Sequence, residues 1–383
     1  MKKFLDGAFG RYVLPALIVQ SVLMGGGFAT GREIVEFGAK YGALGWLGGI
    51  GIFIGFSVMA ILMFEFARKF KLFEYRAFLK ELIGPFWFLF DIVYLLLAIL
   101  IIAIMASATG EILNSTLGMN YWVGVILIIV ITGILNFYGK GLIERFKTLG
   151  TLSLMLGYLL FAGIVISSTW SDASQVLSSG DTSYVPGEVS IMAVLWTGVL
   201  YVGYNLAVYP AALFSIKRQR SRKEAVIAGI IGGVLMTTPW FLTYFSLMGF
   251  YPSEEVFGAS VPWLVMLEGT PAIVIIIFGI VVGWTLVETA SGMIHAFVDR
   301  LEAQVKDIAN KSLTSAQKGL IAVGTLILSV ILAQVGIIDL ISKGYTFMAY
   351  CMIAVFAIPL LTIGVYKIFF QKDATVETDE KVM

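Results

Sequence analysis

Apolar residues fall in long runs separated by short polar stretches that hold most of the charge. Ten runs can be drawn, near 12–39, 43–67, 86–114, 121–139, 146–169, 189–216, 223–249, 272–299, 317–335 and 344–370. Each is long enough to cover about 30 Å of hydrocarbon at about 1.5 Å per residue. The pattern predicts an all-α polytopic membrane protein with ten transmembrane helices. Its first partner is the lipid bilayer.

Polar positions fix the direction of threading. Of the 26 Lys and Arg, 23 lie at the two ends of the chain and in the connections after runs two, four, six and eight. Arg32, Lys40 and Lys343 are the exceptions. By the positive-inside rule, this asymmetry puts both termini in the cytoplasm and the chain in the cytoplasmic membrane. Residues 1–11 form a short basic start without a small-residue cleavage site, so no cleavable signal is expected.

Ten runs divide into five plus five. Because five is odd, the second half enters the membrane from the opposite side, the arithmetic of an inverted repeat. The expected organisation is a first five-span repeat over 1–170 and an extracellular loop over 171–188 with little helical signal. A second repeat covers 189–370, with a short helix near 253–268 lying on the outer surface. A polar cytoplasmic tail covers 371–383.

Within this frame, 24–31 is the informative stretch, reading MGGGFATG. Gly25, Gly26 and Gly27 together carry a heavy helix penalty. Backbone released from a helix inside a bilayer must find partners in protein, water or ligand. The run therefore predicts a first span broken at mid-depth, with a half-helix restarting near Phe28. The inverted repeat then requires a break in span six, where Gly203, Asn205 and Pro210 cluster. One half-helix is expected to end at Tyr201 or Val202 and another to restart near Ala207. In contrast, Gly45, Gly49, Gly51 and Gly55 in span two have the small-xxx-small spacing of close helix packing.

The pattern GGGF followed by ATGRE, together with ten spans, resembles the amino-acid/polyamine/organocation transporters. Their first span carries a G-x-G-[I/F] break, matched here by Gly25, Gly27 and Phe28. The string GGGFATGREIVEFGAKYGALGW over 25–46 is closer still to the YkvI-like bacterial membrane proteins. The resemblance implies a LeuT-like fold with its first and sixth spans broken, and amino acids or related amines as substrates. It also implies that Gly25, Gly26, Gly27 and Phe28 meet the substrate, and that carbonyls of the first break, here at Met24, hold a sodium ion with hydroxyls of span eight.

Side-chain chemistry extends this reading. A half-helix N-terminus at the break suits an anionic group such as a substrate carboxylate. Trp196, Tyr201, Tyr204 and Asn205 in span six offer an opposite wall with polar tips, and an aromatic there can receive an ammonium. Glu288 lies halfway along span eight, where a carboxylate is costly. Thr285, Glu288 and Thr289 share one helical face, with Ser291 close by. The carboxylate leaves three roles open: completing a Na⁺ site, carrying a proton, or pairing with a cationic substrate.

Other polar residues have weaker roles. His295 is a candidate proton relay or a plain hydrogen-bonded histidine, and Glu111 a vestibule lining. Arg32 is a candidate outer gate, paired with an acid such as Asp339.

Composition removes alternatives. One cysteine, Cys351, leaves no internal disulfide, and one histidine makes histidine-rich metal or haem ligation a poor fit. Charge segregated by side gives no reason to expect nucleic acid. No P-loop motif appears, which favours an ion gradient as energy source. The leading expectation is a secondary transporter of a small amino-acid-like or amine solute, coupled to Na⁺ or H⁺, with no other cofactor. A substrate-gated sensor or channel on the same fold is the alternative. An enzyme is not expected, since neither a metal set nor a Ser/His/Asp triad assembles.

Overall fold

The computed structural model describes residues 6–138 and 140–371, so the expected tail lies almost wholly outside the described residues. Among them the chain is helical without strands. Every apolar run of the sequence coincides with helix. Eight helices are long and apolar enough to cross a membrane, among them Arg222–Met248, Ala272–Asp307 and Ile337–Phe370. The first and fourth runs correspond to the shorter apolar helices Phe9–Leu23 and Tyr121–Asn136. Outward-facing Ile54, Ile126, Leu156 and Ile280 remain exposed, as side chains facing hydrocarbon are.

The segments pack in two groups. Segment two (Gly45–Lys69) lies along segments six (Ile191–Ile216) and seven (Arg222–Met248), and segment seven also packs on segment one. Segment three (Phe88–Leu117) lies along segments four, eight (Ala272–Ala309) and nine (Ser315–Ala333). Missing side chains set the closeness of the first group. A Cβ on Gly49 would stand 2.6 Å from Trp240, and one on Gly229 would stand 2.7 Å from the Ile61 backbone nitrogen. The packing role expected for the segment-two glycines is what they have.

Three boundaries differ from the sequence expectation. Helix continues from Lys140 through Ser179, so the first half of the expected loop over 171–188 is helical. Its serines do not compete with the helix. The hydroxyls of Ser168, Ser174 and Ser178 donate to carbonyls three or four residues back. The helix ends at Gly180, whose φ of +70° few other residues adopt. Segment eight likewise runs on to Ala309, and segment nine starts from a capping box between Thr314 and Gln317.

The stretch near 253–268 is two short helices, Glu254–Phe257 and Pro262–Met266, rather than one. Its apolar face turns inward while Glu254, Glu255 and Glu268 stay exposed. Phe257, Trp263 and Leu267 are fully buried, because large apolar rings find neighbours only by wedging between the helix ends.

Segment six is the largest departure. Its α-helix continues through Gly203 to Asn205, tightens to a 3₁₀ turn over Leu206–Ala212, and resumes as Leu213–Ile216. No gap opens at Tyr201 or Val202. Pro210 has no N–H to give, and i→i+3 bonding absorbs that loss while the chain stays helical. Gly203 serves packing instead: a Cβ there would stand 3.0 Å from Ile353 and 3.2 Å from Ala349 of segment ten.

This packing gives a direct test. Gly229→Leu should lower stability by about 1–3 kcal/mol through overpacking against segment two. Gly279→Leu, with nothing within 4 Å of its would-be Cβ, should change little. Thermal unfolding of the two variants in detergent reads the difference, and equal midpoints would contradict the packing described.

Candidate functional site

Segment one is interrupted twice. The helix ends at Leu23; Met24 (φ −74°, ψ 65°) leaves the helical region, Gly25 (ψ −176°) is extended, and helix resumes over Gly26–Thr30. Gly31 then adopts φ +84°, and a second short helix covers Arg32–Glu36. The restart therefore comes at Gly26 instead of Phe28, and the restarted helix is only five residues long. Side chains satisfy the freed backbone. Tyr158 donates its hydroxyl to the Phe28 carbonyl at 2.7 Å, and Thr30 Oγ1 donates to the Gly27 carbonyl at 2.8 Å.

The turn at Gly31 sends Glu33 back over the break. Glu33 Oε1 lies 2.3 Å from where a Cβ on Gly27 would sit, with the Tyr345 hydroxyl 3.2 Å from the same point. Tyr204 donates its hydroxyl to Glu33 Oε2 at 2.7 Å. The Tyr204 and Tyr345 rings stack with centroids 4.3 Å apart. Glu33 is 5% exposed. The space over Gly27, where a substrate carboxylate was expected, therefore already holds a carboxylate of the chain.

Two cavities meet at Gly25. The smaller, of about 40 Å³, is bordered by Gly27, Glu33, Tyr204, Asn205, Thr289 and Tyr345, with Leu97, Ile101 and Met105 from segment three. The larger, of about 250 Å³, is bordered by Ser21, Met24, Tyr94, Thr285, Glu288 and Ala296 among others. Gly25, Val22, Thr289 and Met293 belong to both. A Cβ on Gly25 would stand 3.2 Å from Thr289. The larger cavity follows the halves of segments one and eight that lead towards the chain termini.

The sequence-derived residues divide accordingly. Gly25, Gly27, Tyr204 and Asn205 reach the small cavity, and Met24, Thr285, Glu288 and Thr289 the large one. Gly26 starts the restarted helix. Thr285 donates its hydroxyl to Val281 and Asn205 its amide to Tyr201, so both present acceptor oxygens. Glu288 lies against segment five, its Oε2 2.3 Å from a would-be Cβ on Gly150.

The remaining candidates fall elsewhere. Phe28 and Tyr201 are buried among aromatic rings: Phe28 packs at a tilt against Tyr158, and Tyr201 is wedged between Phe37 and Phe56. Trp196 is 45% exposed and donates to the Tyr350 hydroxyl, on the outward face of segment six. Ser291 is fully buried but borders neither cavity. His295 borders a separate cavity with Asn136, Asp299 and Lys318. Glu111 is half-buried and borders neither cavity.

The Arg32–Asp339 gate is not formed. Arg32 is buried, donates to the carbonyls of Phe257 and Ala259, and pairs with Glu36 at 3.0 Å. Asp339 pairs with Lys343, also at 3.0 Å. Preorganised carbonyls and a carboxylate one turn away outcompete a distant acid. Arg32 thus fastens the hairpin of short helices over the end of segment one, where Trp263 packs 2.9 Å from the would-be Cβ of Gly31.

Glu33 and Tyr345 are the cavity-lining residues that sequence reasoning missed. Six positions along an unbroken helix place Glu33 about 120° away from Gly27. Only the left-handed turn at Gly31 brings them together, and Gly31 itself was the available signal.

The whole arrangement of helices is similar to that of solved transporters. A mutant manganese transporter of Eremococcus coleocola is similar at TM-score 0.59 and 14% identity, over 92% of this chain and 78% of that one. Mhp1, a nucleobase-cation-symport-1 family transporter, is similar at 0.57 and 14%, over 92% and 77%. A Na⁺-coupled sialic acid symporter is similar at 0.54 and 14%, over 94% and 87%. The chain has the LeuT fold.

In sequence, this LeuT-fold chain is 24% identical over 345 residues to the uncharacterized membrane protein YkvI of Bacillus subtilis, covering 88% of the chain and 92% of that protein. No protein-family model matches.

The anchoring of the hairpin by Arg32 predicts that Arg32→Ala frees it. The lost charged hydrogen bonds, about 1.5–3 kcal/mol, should raise amide hydrogen exchange across 254–266 by about tenfold or more. Unaltered exchange there would deny Arg32 this role.

Proposed function

We propose that this protein is a secondary active transporter. It carries a small amino-acid-like or amine-bearing solute across the cytoplasmic membrane by alternating access, coupled to Na⁺ or H⁺. The observation that carries this reading is the first segment, which gives up its helix at Met24 and Gly25 with a cavity on either side. In a bilayer, non-helical backbone is tolerated where protein covers it or a cavity is lined by it.

Counting the two shorter helices as crossings gives ten, five plus five in inverted topology, with both termini cytoplasmic. Segment six then answers segment one with a 3₁₀ turn instead of a gap, and its Leu206–Ala212 stretch packs against the Leu14–Leu23 helix. Similarity to transporters of manganese and sialic acid supports transport, and the Na⁺ coupling of the sialic acid symporter supports a coupling ion.

Thr285, Glu288 and Thr289 border the large cavity beside Met24 and supply oxygen ligands of the hard kind that Na⁺ takes. The same carboxylate at mid-membrane can instead carry the proton. In either case its charge is part of the coupling.

Purified protein in liposomes should show saturable counterflow of its solute; conductance without saturation would instead mark a substrate-gated channel. A thermal-shift screen against amino acids and amines, in Na⁺ and in K⁺, identifies the solute and the cation. Glu288→Gln should abolish the Na⁺ or pH dependence of transport. Dependence that survives this substitution removes Glu288 from coupling.

A further inference from the structure

Glu33 is a carboxylate taken out of water beside the break, and its charge is unmatched in the structure. No described ion pair reaches it, and its neighbour Arg32 points away to Glu36 and the hairpin carbonyls. It accepts one hydrogen bond, from neutral Tyr204. No Lys or Arg among the described residues borders either cavity. An ionised carboxylate in such surroundings is costly unless a cation joins it.

The shape of the space says what kind of cation. About 40 Å³ beside Glu33 exceeds the room one water needs and suits a compact head group. Tyrosine hydroxyls and the carboxylate make that end an acceptor site. Away from Glu33 the walls are mostly apolar, with Leu97, Ile101, Met105, Val208 and Met293 beside the two polar residues Asn205 and Thr289. Past Gly25 the space opens into about 250 Å³. A wholly hydrated inorganic ion gains nothing from apolar walls, whereas an organic ammonium buries its body there and presents its N–H donors to Glu33.

We propose that the cavity over Gly27 binds a primary organic ammonium, with Glu33 as its counter-charge and the Tyr204–Tyr345 pair as hydroxyl acceptors and ring wall. The ligand needs no carboxylate of its own, since Glu33 fills the place such a group would take. This rests on the transporter reading above only in naming the ligand as the cargo. Glu33 is then the residue that selects amines over zwitterionic amino acids.

The full chain, purified in detergent, is tested by thermal shift and calorimetry with ethylamine, butylamine and hexylamine. Butyrate, norvaline and NaCl serve as comparisons, all in K⁺ buffer. The amines should bind saturably, butyrate should be silent, and norvaline should bind about tenfold or more weaker than butylamine. Glu33→Gln, close to isosteric, should weaken butylamine about tenfold or more, the loss of one charged hydrogen bond. Should that variant fail to fold, the wild-type ranking of butylamine, norvaline and butyrate decides alone. The assignment is overturned by tighter binding of norvaline than butylamine, by Glu33-dependent binding of Na⁺ with silent amines, or by no saturable amine binding. Labelled butylamine counterflow in liposomes separates the two readings. Binding without counterflow upholds the ligand and sinks transport, and counterflow of norvaline alone does the reverse.

Discussion

Backbone polarity in hydrocarbon is the constraint from which this structure follows. Each N–H or C=O released at Met24 and Gly25 costs several kcal/mol if left bare. The side chains gathered there answer that demand. Tyr158 caps the Phe28 carbonyl, Thr30 caps Gly27, and the Gly25 N–H turns back to the Leu23 carbonyl at 2.7 Å. A chain that met the demand in full would have a solid core at this depth. Here two cavities remain, and the polar atoms on their walls (Glu33, Glu288, Thr289) exceed what the backbone requires.

The two halves of the protein solve the same problem differently. In segment one the helix gives way at Met24 and Gly25, at the start of a run of three glycines whose last two already belong to the restarted helix. In segment six a single proline meets a glycine whose missing side chain admits Ile353 and Ala349. Removing Gly203 from the break and giving it to packing leaves only Pro210 to interrupt the ladder, and 3₁₀ bonding suffices. The asymmetry puts the flexible backbone in one segment, and segment six presents Tyr204 and Asn205 to it from a continuous helix.

What the sequence made legible follows from range. Hydropathy is a local property, so the drawn apolar runs fall on helices, while helix ends and the continuity of segment six did not follow from it. Glu288 and the threonines at 285 and 289 were legible because depth and one-face spacing are fixed within a single helix. Glu33 and Tyr345 were not, because their meeting depends on the φ of Gly31 and on how segment ten packs. Trp196 was misplaced for a related reason: helical periodicity says which residues share a face but not what that face touches. The Arg32–Asp339 pair failed because charge alone ignores carbonyls, and two hairpin carbonyls held Arg32 more closely than any distant acid.

Arg32 and Glu33 are adjacent in sequence, yet they face opposite tasks. Arg32 fastens the hairpin over the outer end of segment one, while Glu33 borders the cavity beneath it. The short helix Arg32–Glu36 therefore carries both the hairpin anchor and the cavity-lining carboxylate, bounded by Gly31 on one side and followed by Gly38 on the other, where a Cβ would strike Trp240. A ligand shifts a conformational equilibrium only by binding its states unequally. Charge placed against Glu33 acts on the same turn that Arg32 uses to hold the hairpin, with Trp263 seated on Gly31. The hairpin anchor and the cavity-lining carboxylate thus sit on the same five-residue helix, without any longer path through the fold between them.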